Sequence, residues 1–325
     1  MLSRVADSLY WTSRYLERAE NTARLIGVHI NLELEQPRDA SFGRWARVLG
    51  SLGLDKETAR DLDSASLRSE LCYDLANRAS VVASIRLARD NARQVREQIS
   101  SEMWEQLNRL YHQVQVSSEH DPASDDPVAF LDTIKEGAHL FQGVTDSTMN
   151  HGEGWHFIQL GRFIERAACI ASFVDVHFEH YASDEAALRP GAGADAADYL
   201  EWIGLLKSAT AFEAYCKVYT ASIETGRVAE FLILDGTFPH SIRFSADMVH
   251  SALSAISDAS PSRRSTSVMR RSGRLQALLG FSQVDEIIEG GIHHMLEDVG
   301  RQLAQIHSGI YQAFLSYPIE TAIEA

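Results

Sequence analysis

Two hexapeptides carry the chemistry that is easiest to see in this chain. Arg14-Tyr15-Leu16-Glu17-Arg18-Ala19 and Arg162-Phe163-Ile164-Glu165-Arg166-Ala167 repeat one order of guanidinium, aromatic, aliphatic, carboxylate, guanidinium and Ala. Residues three and four apart are neighbours on a helix. Arg14, Glu17, Arg18, Asn21 and Arg24 therefore share one polar face, and Arg162, Glu165, Arg166 and Cys169 share another. Their flanks are aromatic, aliphatic or Ala, so the charges are expected at least partly buried, where charges must be paired. A planar guanidinium suits that task because it grips a carboxylate with two parallel N–H groups.

Two readings follow. In the first, the pairs brace the two segments against each other, Glu17 reaching Arg162 or Arg166 and Glu165 reaching Arg14 or Arg18. Such networks add little net stability and set register. In the second, the same residues line a cleft on a pseudo-two-fold axis. Glu17 and Glu165 are then the candidate acid–base groups, with pKa values driven apart by proximity, and Arg14, Arg18, Arg162 and Arg166 bind an anionic substrate.

A second stripe places Arg86, Arg89, Arg93 and Arg96 at three- and four-residue steps beside Asp90 and Asn91. Like charges on one helix face repel, so the stripe is either a solvated face or an anion site. We include Arg86, Arg89 and Arg93 among the candidate substrate-binding residues and expect them to share a concavity with one of the Glu-Arg pairs. Glu153 and His156 have the ExxH spacing of di-iron bundles, but no second ExxH accompanies them. His177, His180, His293 and His294 read as surface or satisfied side chains. There is no Gly-rich phosphate loop, GxSxG elbow or HExxH, and no metal site is expected.

The elements that must hold these residues are helices. Val5, Leu9, Leu16, Ala19, Ala23, Ile26 and Ile30 recur at helical spacing and predict a helix over about residues 2–34, stopped at Pro37. Further helices are expected in "ELCYDLANRASVVASIRLARDNARQVREQI", read as one or two, over 101–116 with Ser100 or Ser101 as N-cap, over 128–149, through the second Glu-Arg motif, over 199–223 and over 282–316. "SSEHDPASDDP" divides the chain into a first helical half, 1–118, an acidic linker, 119–127, and a second half, 128–325, with one shared core. "ASDEAALRPGAGADAAD" and "SDASPSRRSTSVMRRSGR" read as loops, the second a flexible basic one. No strand pattern is found. The expected fold is all-α: antiparallel helices packed as bundles.

An internal repeat supports that division. The Glu-Arg segments align with a shift of 148, and Ser84–Arg93 aligns with Ser241–His250 at a shift of 157, pairing Ser-Ile-Arg with Ser-Ile-Arg and Asp90 with Asp247. This reads as a duplicated helical unit whose halves are related by a pseudo-two-fold.

With 45% hydrophobic and 23% charged residues, the 325-residue chain has the composition of a globular protein. A net charge of −15 disfavours nucleic-acid and anionic-membrane partners. The three cysteines are widely spaced and form no CxxC. "MLSRVADSLYW" lacks a signal-peptide core and no run approaches a membrane span, so a cytoplasmic location is expected.

At these residues the chain resembles the alpha-E family, all-helical bacterial proteins with a Glu-Arg motif. "MLSRVADSLYWTSRYLERAENTARL", "ARDNARQVREQISSEMWEQLN" and "GWHFIQLGRFIERA" look like its signature segments. "FLILDGTFPHSIRF" resembles a fourth, with Pro239-His240-Ser241 where Pro-Arg-Ser is expected, and "LANRASVVASIR" lacks an expected Asn-Pro turn. The resemblance implies a role in an amide- or peptide-bond system with a circularly permuted ATP-grasp ligase, which would supply ATP and Mg, and with a transglutaminase-like protein as a possible second partner. Three roles stand open: a subunit presenting an Arg-lined cleft to that ligase, a stand-alone amide-acting enzyme with Glu17 or Glu165 as base, and a helical scaffold without catalysis.

Overall fold

The structure, a computed structural model, describes residues 1–35, 41–119, 126–181, 198–220, 222–259 and 265–316. These residues are all-helical, without a β-strand, and no helix among them is long and apolar enough to cross a membrane. In chain order the helices are α1 (Ser3–Glu35), α2 (Ser41–Ser51), α3 (Thr58–Asp61), α4 (Ser64–Tyr73), α5 (Val81–Gln94), α6 (Ser101–Glu119), α7 (Pro127–Thr148), α8 (Glu153–Tyr181), α9 (Tyr199–Ser208), α10 (Phe212–Tyr219), α11 (Thr225–Leu234), α12 (Ile242–Ala259), α13 (Ser265–Phe281), α14 (Val284–Gly290) and α15 (Ile292–Ile310). A 3-10 turn spans Arg96–Gln98 and a π turn spans Tyr311–Leu315.

The two Glu-Arg helices, α1 and α8, are the centre. α1 packs on α5, α7 and α8, and α8 packs on α12, α15 and α1. Because α1 has neighbours on several sides, it buries polar Ser8, Thr12, Glu17, Glu20 and Asn21 as well as Leu9, Leu16 and Ile26. The buried apolar residues among those described, from Val5 to Leu315, form one continuous core.

α7 runs antiparallel to α1, and α15 with the turn after it runs antiparallel to α8. Gln142 and His139 on α7 meet Glu17 and Glu20 on α1. His293 and Phe314 meet Asp175 and Phe157 at opposite ends of α8. The central pair departs from the expected antiparallel arrangement. Met1 bonds Glu153, Arg14 bonds Glu165, and Val28 faces Val176 and Phe173 across one cavity, so α1 and α8 run parallel. Short loops force antiparallel neighbours; here some 120 residues of crossover separate the two helices, and no such constraint applies.

Several boundaries differ from the periodicity reading. Ser265–Phe281 is a helix, not a basic loop: Val268, Leu275 and Leu279 turn inward while Arg270, Arg271 and Arg274 stay on the outer face. The Ser- and Arg-rich stretch masked a sparse apolar stripe. The last helix divides at Gly291, whose φ of +89° breaks it, and residues 199–223 hold two helices, turned at Thr210 with φ +56°. Ser100 is the cap of α6, accepting from the Met103 amide at 3.1 Å. Asp126 caps α7 and Pro127 opens it, while the middle of the acidic linker, Pro37, and most of the Gly- and Ala-rich stretch lie outside the described residues.

The second repeat match is off by one helical turn. Ser80 Oγ accepts from the Ala83 amide and donates to the Asp74 carbonyl. Ser241 Oγ accepts from the Phe244 amide and donates to the Asp235 carbonyl. The matching serines are thus Ser80 and Ser241, not Ser84 and Ser241, and Asp90 does not correspond to Asp247. A slip of four residues leaves a helix on nearly the same face, so the pattern alone does not distinguish the two registers.

α1 and α8 touch backbone to side at one glycine. A Cβ on Gly161 would lie 2.2 Å from the Tyr10 carbonyl oxygen. Backbone does not yield as a flexible side chain does, so Gly161→Ala must push the helices apart. The expected cost is about 1–3 kcal/mol, the usual penalty of overpacking, read as a lower urea midpoint. Gly143→Ala, which meets nothing within 4 Å, serves as the control.

Candidate functional site

The close approach at Gly161 sets the two Glu-Arg motifs face to face. Glu17 is 1% exposed. Its carboxylate accepts from Arg166 Nε at 2.5 Å and Nη2 at 3.0 Å, a bidentate grip, and from Gln142 Nε2 at 3.3 Å. Arg162 Nε stands farther off, 3.9 Å from Glu17 Oε2. Reciprocally, Glu165 Oε2 accepts from Arg14 Nε at 2.7 Å, and Oε1 accepts from Arg18 Nε at 2.6 Å. Each glutamate therefore pairs with the other helix, the bracing geometry.

The aromatic of each motif has a place in this arrangement. Arg18 lies over the Tyr15 ring at 5.5 Å, and Arg162 and Arg166 each lie 5.2 Å from the Phe163 ring. Arg14 lies 4.9 Å over Trp11. A ring face attracts a guanidinium and occupies flanks that would otherwise need acceptors.

Electrostatics follow from this packing. Burial pushes the Glu165 carboxyl upward, but Arg14 and Arg18 outweigh it and hold the group below its ordinary range. Burial opposes the charge of Arg166, yet Glu17 keeps it raised. Arg162 goes the other way: burial and the neighbouring Arg166 lower it, and Glu17 at 3.9 Å compensates only in part. A carboxylate with both oxygens engaged by guanidiniums, as Glu165 is, makes a poor general base.

The network extends on one side only. Glu20, fully buried, accepts from Arg24 Nη2 at 2.6 Å and is 3.0 Å from His139 Nε2. Arg166 Nη1 donates to the Pro239 carbonyl at 3.2 Å. His240 follows it, buried and held well below its usual pKa by burial and by Arg166. At the 148-residue spacing of the two Glu-Arg motifs, Glu20, Asn21 and Arg24 line up with Ala168, Cys169 and Ser172, so α8 offers no such extension. The same region gathers buried polar atoms without a hydrogen-bond partner: Glu20 Oε2, both amide atoms of Asn21, Arg24 Nε, Arg162 Nε and His240 Nδ1. Beside Glu17, Gln142 and Arg162 is a cavity of about 10 Å³, the size of one water.

Five guanidiniums (Arg14, Arg18, Arg24, Arg162, Arg166) thus meet three buried carboxylates (Glu17, Glu20, Glu165). Asp146 also acts on Arg162, but it is exposed and bonded to Trp155 and Gln159. Positive charge is in excess by two, and Arg18 and Arg162 keep 31% and 19% of their side chains exposed. The arrangement can accept an anion.

The arginine stripe does not join this network. Arg86 donates to the Leu75 carbonyl in the loop before α5. Arg89 donates to Asn108 and stacks 4.7 Å over Tyr111 on α6. Arg93 is exposed. None of these contacts reaches Glu17 or Glu165; the stripe ties α5 to α6 and to its own loop, because α5 turns that face away from the central crossing. Among the histidines, His177 packs against Trp202 and His293 bonds Asp175 at 2.6 Å. Glu153 holds the N-terminal amine. Glu20, His139 and Gln142 escaped the sequence reading, and His240 entered it only as the departure from Pro-Arg-Ser. Only Glu20 left a signal there, its i,i+4 spacing to Arg24.

The chain belongs to the Alpha-E family, described as a predicted alpha-helical domain with a conserved ER motif; the match covers residues 1–315. Uncharacterised proteins of Mycobacterium bovis (Mb2597) and Mycobacterium tuberculosis (MT2643 and Rv2567) are similar, each 23% identical over 333 residues and 94% of this chain. The match covers 35% of their length, so the chain spans about a third of these relatives. No solved structure matches it.

Removing one partner of a buried bidentate pair strands the other charge. Glu17→Ala is therefore expected to cost about 3–5 kcal/mol, measured by urea unfolding, and a loss well under 1 kcal/mol contradicts the brace.

Stability should also depend on pH in a defined direction. His177 and His240 lie well below 6.5 in the folded chain, mainly through burial, and His307 at about 4, through burial and Arg14. Their folded values are below the unfolded one, so the unfolded chain takes up protons first as pH falls. The stability they contribute is complete above about pH 6.5 and declines below it. Glu20 and Glu165, both held low, add a second loss below about pH 4.5. Urea midpoints across this range test the order; a midpoint flat between about pH 6.5 and pH 5 contradicts it.

Proposed function

We propose that the chain is a component of a bacterial amide- or peptide-bond-forming system. In this reading it acts beside a circularly permuted ATP-grasp ligase and presents an Arg/Glu-lined cleft to an anionic, peptide-like substrate. The observation that carries the reading is the excess of guanidinium over carboxylate at the α1–α8 crossing, with Arg162 engaged only at 3.9 Å. A peptide carboxylate is the natural acceptor for a guanidinium fork. ATP and Mg belong to the partner, and a transglutaminase-like protein is a second candidate partner. The chain's match to only a third of its longer mycobacterial relatives supports work beside other polypeptide segments. ATP-dependent chemistry of this kind points to the cytoplasm.

The same reading treats the chain as a duplicated unit with pseudo-two-fold related halves. The reciprocal Glu17–Arg166 and Glu165–Arg18 pairs support it. So do the matched ring contacts, His29 on Trp45 and His177 on Trp202, whose histidines stand 148 residues apart like the two Glu-Arg motifs. α2 packs on α8 while α9 packs on α1, an exchange between halves that fits one shared core. Duplication followed by loss of Glu20, Asn21 and Arg24 from the second copy would leave one specialised side.

The test is to capture the chain's complex from its native cell and assay ATP-dependent amide formation on a peptide carboxylate. Arg162→Met is expected to raise KM about tenfold or more with a smaller effect on kcat, the signature of lost substrate binding. Amide formation that proceeds without this chain, or with unchanged kinetics in the variant, contradicts the proposal. Amide hydrolysis by the chain alone would favour the stand-alone enzyme.

A further inference from the structure

Farther along the α1–α8 pair, toward their C-terminal ends, α2 and α9 close over a cavity of about 60 Å³. Val28, Leu32 and Gly204 line it and also line a neighbouring cavity of about 210 Å³, walled by Leu200, Ile203 and Phe212. Gly204 makes the junction open: a Cβ there would lie 2.8 Å from Leu32 Cδ1. The smaller cavity has a mixed lining, apolar at Val28, Leu32, Phe173 and Val176 and polar at Arg44 and Glu201, and apolar side chains line most of the larger one beside Asn31, Glu35 and Lys207.

Among the polar side chains of the smaller cavity, Arg44 has an N–H group left unmade. Arg44 is 2% exposed, and its Nε donates to Glu201 Oε1 at 2.8 Å. Its Nη2 is buried with no hydrogen-bond partner. Arg47 also donates to Glu201, at 3.3 Å, so two guanidiniums share one carboxylate. A buried donor left unmade carries a desolvation cost, and the acceptor that best suits a guanidinium N–H is a carboxylate. One orphaned N–H group matches a single carboxylate oxygen. The aliphatic walls beyond Val28 match a hydrocarbon chain, since a small-molecule site combines an apolar lining with few polar groups.

We propose that these adjoining cavities bind a short aliphatic monocarboxylate, its carboxylate on Arg44 Nη2 and its chain passing Val28, Leu32 and Gly204 into the larger cavity. This site is separate from the Glu17 and Glu165 network and does not depend on what that network binds.

The experiment uses the full chain at constant ionic strength with acetate, butyrate and hexanoate, and with butyramide and hexanamide as uncharged counterparts. Ligand-observed NMR reads binding and thermal unfolding reads stabilisation. Both should increase from acetate to hexanoate and be absent for the amides. Arg44→Gln should weaken hexanoate about ten- to a hundredfold, as loss of a charge-assisted hydrogen bond does. Gly204→Val, which narrows the junction, should weaken hexanoate and leave acetate unchanged; it decides the matter if Arg44→Gln does not fold. Arg162→Met should leave hexanoate binding intact. Equal binding of amides and acids, no binding of any acid, unchanged hexanoate affinity in Gly204→Val, or loss of binding in Arg162→Met instead of Arg44→Gln overturns the proposal.

Discussion

Ions buried between two apolar helices must find partners on the opposing helix, and the rest of this molecule is arranged around that requirement. Glu17 cannot be satisfied by α1 alone, nor Glu165 by α8; each takes its guanidiniums from across the crossing. Gly161 permits the approach, and the motif aromatics cover the guanidinium faces that no acceptor reaches. A parallel α1–α8 pair then obliges the other helices to pack outward from it, α5 and α7 on α1, α12 and α15 on α8. Hydrophobic burial drives collapse of such a core, but it is nearly indifferent to sliding by a turn. Ion pairs are not, which is the use for which buried networks are best attested.

The brace is not electrically closed. On the α1 side Glu20, Asn21 and Arg24 enlarge the network, His240 and Pro239 approach from the turn before α12, and buried polar atoms accumulate without partners. A purely structural brace would be selected for completeness. An incomplete one, with two guanidiniums more than carboxylates and with Arg18 and Arg162 partly exposed, is better suited to receiving a charged ligand.

Much of this was legible in the residues. The helix over α1 followed from Val5, Leu9, Leu16 and Ile26, and the cross-pairing from two Glu-Arg motifs that each needed a partner. What escaped has physical reasons. Antiparallel packing is the rule for helices joined by short loops, and α1 and α8 are not so joined. The second repeat slipped by one turn because Ser80 and Ser84 lie on nearly the same helix face. α13 hid behind arginines and serines because only Val268, Leu275 and Leu279 point inward. The stripe of Arg86, Arg89 and Arg93 suggested an anion site, but aromatic rings and carbonyls satisfy long cations as well as anions do, and Tyr111 and Leu75 take that part. His139 and His240 come to Glu20 from distant segments, a contact that only the fold supplies.

The central claim is that Arg166 holds the crossing while Arg162 is surplus charge kept for a ligand. The most direct measurement compares the unfolding free energies of Arg166→Met and Arg162→Met without added ligand. Arg166→Met strands Glu17 and should lose about 3–5 kcal/mol, whereas replacing an under-compensated buried charge by an apolar side chain of similar length should be neutral or stabilising. Equal losses in the two variants would mean that Arg162 is as much a part of the brace as Arg166, and would contradict the claim.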